Sequence, residues 1–337
     1  MLQTPMDVLS QCPVRKSRKQ KQDFRDAVCA WAAHLGYPVS VEKGSFGSHN
    51  VVIGDPEKAN YLVTAHYDTC AWMPVPNYLT PCSLSGFAGY QFLLTILIAF
   101  CAILLSLAEG AILAGIAALL GSSMGDAWTL FVGLVAPSLI GLNAVLLVLL
   151  MLIGPANPSN ANDNTSGVVT LLEIMKSMPE KQRDKVCFVL FDLEEAGLIG
   201  SSSYRKLHRK ASDSQLVLNL DCVGDGDTLM MFPTKQLKQN RKKLTSLYRA
   251  CGYFGKKSLT VHEKGFGIYP SDQMVFPWGV GICALQKGKH GLYVGRIHTP
   301  KDTVMDHTNI NILRAALISY ISCGAVNEKG RNENETL

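Results

Sequence analysis

The sequence predicts an α/β fold: a three-layer α/β/α sandwich with a mostly parallel mixed sheet, interrupted by a transmembrane helical hairpin. Three observations carry this reading. Short apolar runs rich in Val, Leu, Ile and Phe alternate with stretches of helical periodicity, as buried parallel strands and their crossover helices do. Polar residues able to bind metal sit at the ends of those runs, where open α/β sheets place their chemistry. From Thr69 to Asn162 only Glu109 and Asp126 are charged, and there is no Lys or Arg, which no soluble surface of that length resembles.

In chain order, the basic run "RKSRKQK" (Arg15 to Lys21) leads into "DFRDAVCAWAAHLGY", an amphipathic helix without the continuous apolar core of a signal peptide, so no cleaved leader is expected. The strands expected are "YLVTAHYD" (Tyr61 to Asp68), "KVCFVLFD" (Lys185 to Asp192), "QLVLNLDCV" (Gln215 to Val223) and "GICALQ" (Gly281 to Gln286). Helices are expected over "SGVVTLLEIMKSM" (Ser166 to Met178), "NRKKLTSLYRACGYF" (Asn240 to Phe254) and "NINILRAALISYISC" (Asn309 to Cys323), followed by a flexible polar tail over 326–337. This gives a discontinuous soluble domain, 1–68 plus 158–325, with a membrane-embedded insert at 69–157.

Within the insert, "FLLTILIAFCAILLSLA" (Phe92 to Ala108) and "WTLFVGLVAPSLIGLNAVLLVLLMLI" (Trp128 to Ile153) approach or exceed the roughly 20 residues that cross a bilayer. "AILAGIAALL" (Ala111 to Leu120) is too short to cross alone. Basic residues are abundant on both flanks and absent between them, so both flanks are expected on the cytoplasmic side of an integral membrane protein. That requires an even number of crossings, two being the simplest. Glu109 is expected at the far interface, because a carboxylate at mid-bilayer costs a few kcal/mol or more.

The net charge of +5 is mild and carries no aromatic-interleaved basic stripe, which excludes a nucleic-acid partner. Ten cysteines spread singly, with no C-x-x-C, favour a reducing compartment.

The polar residues decide the chemistry. His66 and Asp68 close the first strand, Glu194 and Glu195 follow the second, and Asp221 closes the third; Asp163 lies in "NANDNTSG" and His298 in "RIHTPKDT". Each alone has an ordinary structural explanation, such as an N-cap, a turn or a solvated helix start. Together, His66, Asp163, Glu195, Asp221 and His298 are the oxygen and nitrogen donors two zinc ions need if one carboxylate bridges them. Glu194 stands beside a ligand without being needed as one, which suits a general base.

With these residues the chain resembles the co-catalytic di-zinc aminopeptidases related to secreted bacterial leucyl aminopeptidases and to glutamate carboxypeptidase. The matching pieces, in the family's order, are "AHYDT", "NDNTSGVVTLLEI", "FDLEEAGLIGSSSY", "NLDCVGDGD", "SDQMVF" and "HTPKDT". The resemblance implies two zinc ions per chain bridged by Asp163, with His66 and Asp221 completing one site and Glu195 and His298 the other. It implies Glu194 as general base and Asp68 as the carboxylate that orients His66, a role that also follows from the tautomer requirement of a zinc-bound imidazole. The implied activity is a membrane-anchored exopeptidase that releases the residue at a peptide's free amino terminus. Gln273 departs from the family, which often has His there.

Two alternatives come from the same fold: glutaminyl cyclases, which work with one zinc, and carboxypeptidases, which read a free carboxylate. A third is a non-catalytic membrane receptor or scaffold, which should have lost ligands that are all present here. The loop from His262 to Phe276, with Phe266, Tyr269 and Phe276, is expected to line the specificity pocket.

Overall fold

The computed structural model describes residues 4–332 apart from 76, 122, 132–134 and 290. They form two compact units, Met1–Leu84 with Ala156–Leu337, and Ser85–Pro155. Residues 69–84, which the sequence reading puts in the insert, fall in the first unit: Leu79 pairs with Val294, and Ala71 with Ala156. The expected insert boundary at Thr69 therefore moves to the end of this backbone-paired segment.

The first unit is built on a sheet of strands β1 (Val39–Lys43), β2 (His49–Ile53), β3 (Tyr61–His66), β4 (Val186–Phe191), β5 (Leu216–Leu220), β6 (Thr228–Pro233), β7 (Gly252–Phe254), β8 (Lys257–Val261), β9 (Gly279–Gly288) and β10 (Gly291–Tyr293). Their order is β1-β2-β4-β3-β5-β9-β6-β8-β7, with β10 on β9. The centre, β4-β3-β5-β9, is parallel, and β6 pairs β8 in parallel; the remaining pairings are antiparallel. The parallel centre consists of the strands that read as continuous apolar runs, because only strands covered on both faces need apolar residues at every position.

The α-helices are α1 (Pro5–Gln11), α2 (Arg18–His34), α3 (Leu84–Leu119), α4 (Met124–Leu130), α5 (Ala136–Ile153), α6 (Gly167–Ser177), α7 (Ile199–Leu207), α8 (Arg209–Ser212), α9 (Lys235–Gln239), α10 (Arg241–Leu247) and α11 (His307–Asn332). Alternation along β4 divides the core into two layers. Val186, Phe188 and Leu190 face a cluster with Phe24 and Val28 of α2, Leu171 and Leu172 of α6 and Leu313 and Leu317 of α11. Cys187, Val189 and Phe191 face the opposite cluster, with Tyr204 of α7 and Phe276. Helices thus cover both faces, as expected.

Several expectations are corrected. The helix expected over Asn240 to Phe254 stops at Leu247, and its last residues form β7, paired to β8 through a turn in which Gly255 takes φ 66°. A residue there must enter the left-handed region, which glycine does at no steric cost. The tail is helical through Asn332 as the end of α11; residues 333–337 lie outside the described residues. The basic run Arg15 to Lys21 enters the first turn of α2, and two of its residues are buried. Arg15 is fully buried, and Lys21 is buried with Nζ 2.7 Å from Asp192 Oδ1.

In the second unit, α3 runs unbroken for 36 residues, so the expected Phe92–Ala108 and Ala111–Leu120 segments are one helix. No Gly-Pro pair or cap stands between them to stop it, and at 1.5 Å per residue it is about 54 Å long. The Trp128–Ile153 segment is divided between α4 and α5, and its residues 132–134 lie outside the described residues. Two helices, Leu84–Leu119 and Ala136–Ile153, are long and apolar enough to cross a membrane. Glu109 is not at the end of its helix: Asn143 Nδ2 of α5 donates to Glu109 Oε2 and to Ser106 Oγ, both at 3.0 Å.

Candidate metal centre

The parallel centre of the sheet builds the site. β3, β4 and β5 are neighbours running the same way, so their carboxyl ends lie side by side and bring His66, the turn after Phe191 and Asp221 together. His66 shares the face of Leu62 and Thr64, away from the larger core cluster. The turn carrying Glu194 and Glu195 lies between Leu193 and Leu198, both left-handed at φ 56° and 58°. Non-glycine residues held there cost of order 1 kcal/mol each, so neighbouring structure must enforce the turn.

Asp68 supplies that enforcement. Its carboxylate accepts the backbone N–H groups of Glu194 (3.1 Å) and Glu195 (3.4 Å). The same carboxylate lies 3.6 Å from His66 Nδ1, which is also 3.2 Å from the Asp68 carbonyl oxygen. With both acceptors on the Nδ1 side, the His66 proton belongs on Nδ1 and the Nε2 lone pair faces the site.

Asp163 is the centre of the arrangement. Its Oδ1 is 3.3 Å from His66 Nε2 and its Oδ2 is 3.1 Å from His298 Nε2. Asp221 Oδ1 lies 3.7 Å from His66 Nε2, and Glu195 Oε2 lies 3.4 Å from His298 Nε2. Donor atoms within 4.8 Å of one another form the group His66, Asp163 and Asp221 and a second group of Cys70, Asp163, Glu195 and His298. All seven residues singled out in the sequence meet here.

Burial and like charge shape the electrostatics. Burial pushes Glu194 well above its ordinary range, and the charges of Glu195, Asp272 and Asp221 add to the push against His66. Burial raises Glu195 to about 7, His298 opposing and Asp163 reinforcing. His298 rises to about 9, because the charges of Glu195 and Asp163 overcome burial. Asp163 goes the other way: burial would raise it, but hydrogen bonds from His298 and His66 hold it far down. Glu195 Oε1 is buried with no hydrogen-bond partner. A sealed excess of carboxylate oxygens with an orphan among them fits divalent cations, which supply the missing positive charge.

Four contributing residues were not assigned roles from the sequence. Asp302 accepts the backbone N–H groups of Asn162 (2.7 Å) and Asp163 (3.0 Å) and so orients the central carboxylate; its only signal was its place within "HTPKDT". Arg15 donates to the Tyr67 carbonyl (2.6 Å), the Cys12 carbonyl (3.1 Å), Asn160 Oδ1 (3.2 Å) and Thr165 Oγ1 (3.0 Å), joining the segments on either side of the insert. Its place in a run of basic residues disguised it. Asp272, fully buried and raised to about 7 by burial, and Cys70 also face the cluster.

Gln273 is held by buried polar partners and lines the same cavity as Tyr269 and Phe276. It accepts from Asn219 Nδ2 (3.1 Å) and donates to the Tyr269 carbonyl, in a buried polar chain that begins at Thr64 Oγ1. Tyr269 and Phe276 line a cavity of about 540 Å³, whose described lining does not include Phe266. A second cavity of about 560 Å³, walled by Trp72, Tyr78, Tyr293 and Arg296, borders the His298 loop through Thr299.

Buried imidazoles and carboxylates at the carboxyl ends of parallel strands define the class: an α/β protein built to hold divalent metal. The chain belongs to peptidase family M28, which its residues 151–320 match. A stretch of 113 residues is 32% identical to aminopeptidase YwaD of Bacillus subtilis; it covers 33% of this chain but only 23% of that relative. The fold is similar to that of a Zn-dependent exopeptidase from Parabacteroides distasonis, with TM-score 0.56, 15% identity, and 93% of this chain and 94% of that one covered. It is similar also to Porphyromonas gingivalis glutaminyl cyclase, with TM-score 0.55, 14% identity, and 94% and 96% covered.

Proposed function

We propose that this chain is a membrane-anchored, zinc-dependent aminopeptidase that holds two zinc ions and hydrolyses the first peptide bond of a substrate with a free amino terminus. One observation carries the reading: the two oxygens of Asp163 are directed to His66 on one side and His298 on the other, at 3.3 and 3.1 Å, as a bridging carboxylate requires. Membership of family M28 and the partial identity to a bacterial aminopeptidase support it.

His66, Asp163 and Asp221 would hold one ion, and Asp163, Glu195 and His298 the other. Zinc bound there supplies acidification of a water molecule and polarisation of the substrate carbonyl. Glu194 takes the proton of the attacking water and delivers it to the leaving nitrogen. Asp68 holds the Glu194–Glu195 backbone and the His66 ring in one register, so base and ligands keep a common geometry.

The helices Leu84–Leu119 and Ala136–Ile153 support a membrane anchor. His66 precedes them and Asp163 follows them, yet the two touch, so the chain returns to the side it left; the basic flanks favour the cytoplasmic side.

Glu194→Gln in the detergent-purified full chain should retain two zinc ions and lose activity on an N-terminal peptide library by about 10³-fold or more, a loss of roughly 4 kcal/mol of barrier lowering. Undiminished turnover would refute the role of Glu194. One zinc per chain, with cyclisation of N-terminal glutamine, would favour the cyclase alternative.

A further inference from the structure

Cys70 was one of ten unremarked cysteines in the sequence, but its place is unlike that of the others. It is fully buried, two residues beyond Asp68. Its Sγ joins an Asp163 oxygen, a Glu195 oxygen and a His298 nitrogen in a group whose atoms all lie within 4.8 Å of one another. Among the described residues no other cysteine belongs to such a group.

The segment that carries Cys70 is tied on both sides. Thr69 N–H donates to the Arg15 carbonyl (3.2 Å), Asn157 N–H donates to the Cys70 carbonyl (3.1 Å), and Met73 N–H donates to the His298 carbonyl (2.8 Å). The last bond links the Cys70 segment directly to the loop of a proposed ligand. The Asn157 side chain also donates to the Thr299 carbonyl at 3.0 Å, holding the same loop from the other end. The thiol is therefore fixed beside the cluster by backbone pairing. The unpartnered Glu195 Oε1 is a second, independent sign that this group takes a cation.

We propose that Cys70 Sγ is a fourth protein ligand of the metal held by Asp163, Glu195 and His298. The inference rests on the two-metal reading above and goes beyond it by making the two positions chemically unequal. One has nitrogen and oxygen donors only, from His66, Asp163 and Asp221. The other adds a soft thiolate as a fourth protein donor. Loading this position deprotonates the thiol: the S–H bond breaks, a sulfur–metal bond forms and the proton leaves to solvent, with no change of oxidation state. The position should therefore select zinc or cobalt over manganese and hold its ion more firmly than an all-oxygen-and-nitrogen set would.

The test uses the metal-free full chain in detergent, titrated with cobalt(II), alongside Cys70→Ser and Cys70→Ala. The wild type should develop a near-ultraviolet thiolate-to-cobalt charge-transfer band. Both variants should lack it and should lose zinc from one position at least about tenfold more readily on dialysis. Zinc-edge X-ray absorption of the wild type should show one sulfur neighbour per two zinc ions, a readout that stands even if the variants fold poorly. Two bound metals with no band and no sulfur neighbour would overturn the ligand assignment and leave the two-metal reading intact. One bound metal with the band would do the reverse. A band that persists in both variants would place the sulfur elsewhere and overturn the assignment.

Discussion

The two units of this chain bury opposite kinds of surface. In the unit of Met1–Leu84 with Ala156–Leu337, Phe188, Leu190, Leu171 and Leu317 are sealed inside, and the buried charges gather at the candidate metal centre and at Arg15 and Lys21. In Ser85–Pro155 the large residues, among them Phe92, Leu93, Phe100 and Leu146, face outward. What α3 buries is Ala102, Ser106, Gly110 and Ala114, a stripe of small residues every fourth position, and what α5 buries is Asn143. In water the first arrangement is driven by apolar burial. In lipid that drive is absent, and helices associate through close approach of small residues and internal hydrogen bonds. The inverted pattern is the one expected of helices that pack in lipid, and it supports the membrane anchor proposed above.

The comparison can be broken at several points. The largest effect is expected at Asp163, whose two oxygens face both donor groups. Asp163→Asn should empty both positions and lower peptidase activity by at least about 10³-fold; mass-spectrometric metal content still near two per chain would show that this carboxylate is not the bridge.

Arg15 tests how the soluble unit tolerates an internal charge. Burial lowers its affinity for the proton to about 10, with Asp68 opposing, and its bonds satisfy carbonyls in the Cys12 and Tyr67 segments. Arg15→Met should destabilise this unit by about 3 kcal/mol, because several buried acceptors lose their donor. Unchanged denaturant unfolding would mean that those acceptors find water.

Metal removal should give the same unit a stability that falls with rising pH. Without metal, Glu195, Asp272 and Asp302 at about 7 and His298 at about 9 hold protons that the unfolded chain has released. The stability of the metal-free chain therefore falls as pH rises from about 5 to 9, by roughly 1.4 kcal/mol per pH unit for each proton of difference. Asp163 and Asp68, held low, act oppositely only at acid pH, where their contribution is lost as pH falls. Zinc should flatten the slope in thermal melts, and a metal-free profile that rises over this interval would contradict the assignment of these groups.

The smallest effect is expected in the apolar unit. Asn143→Leu removes the donor to Glu109 and Ser106, and in a membrane such a bond contributes about 1 kcal/mol. Amide exchange in α3 around Ser106 should accelerate a few-fold in detergent. No change would show that the small-residue stripe alone holds the pair.

Much of this was legible before any coordinates. The central strands could be read because strands buried on both faces are apolar throughout. β1 escaped notice because it is a partly exposed edge strand, and β7 because a short helix running into a hairpin has the same apolar spacing as one longer helix. The seven residues that meet at the candidate centre could be picked out because metal chemistry restricts residue types and strand ends restrict the places of most of them. Asp302, Cys70 and Arg15 could not, because an oriented backbone amide, a thiol beside a carboxylate and a buried guanidinium leave no periodic trace.

The sequence by itself determined the α/β class, the apolar insert and the residue types that meet at the candidate centre, since each follows from hydrophobic period or from the chemistry of side chains. Only the tertiary structure decided that Asp163 reaches His66 and His298 at once, that Glu109 has a partner on α5, and that the Cys70 segment is bonded to the His298 loop. Those are distances between residues far apart in the chain, and they arise from strand register and helix packing, which local sequence does not encode.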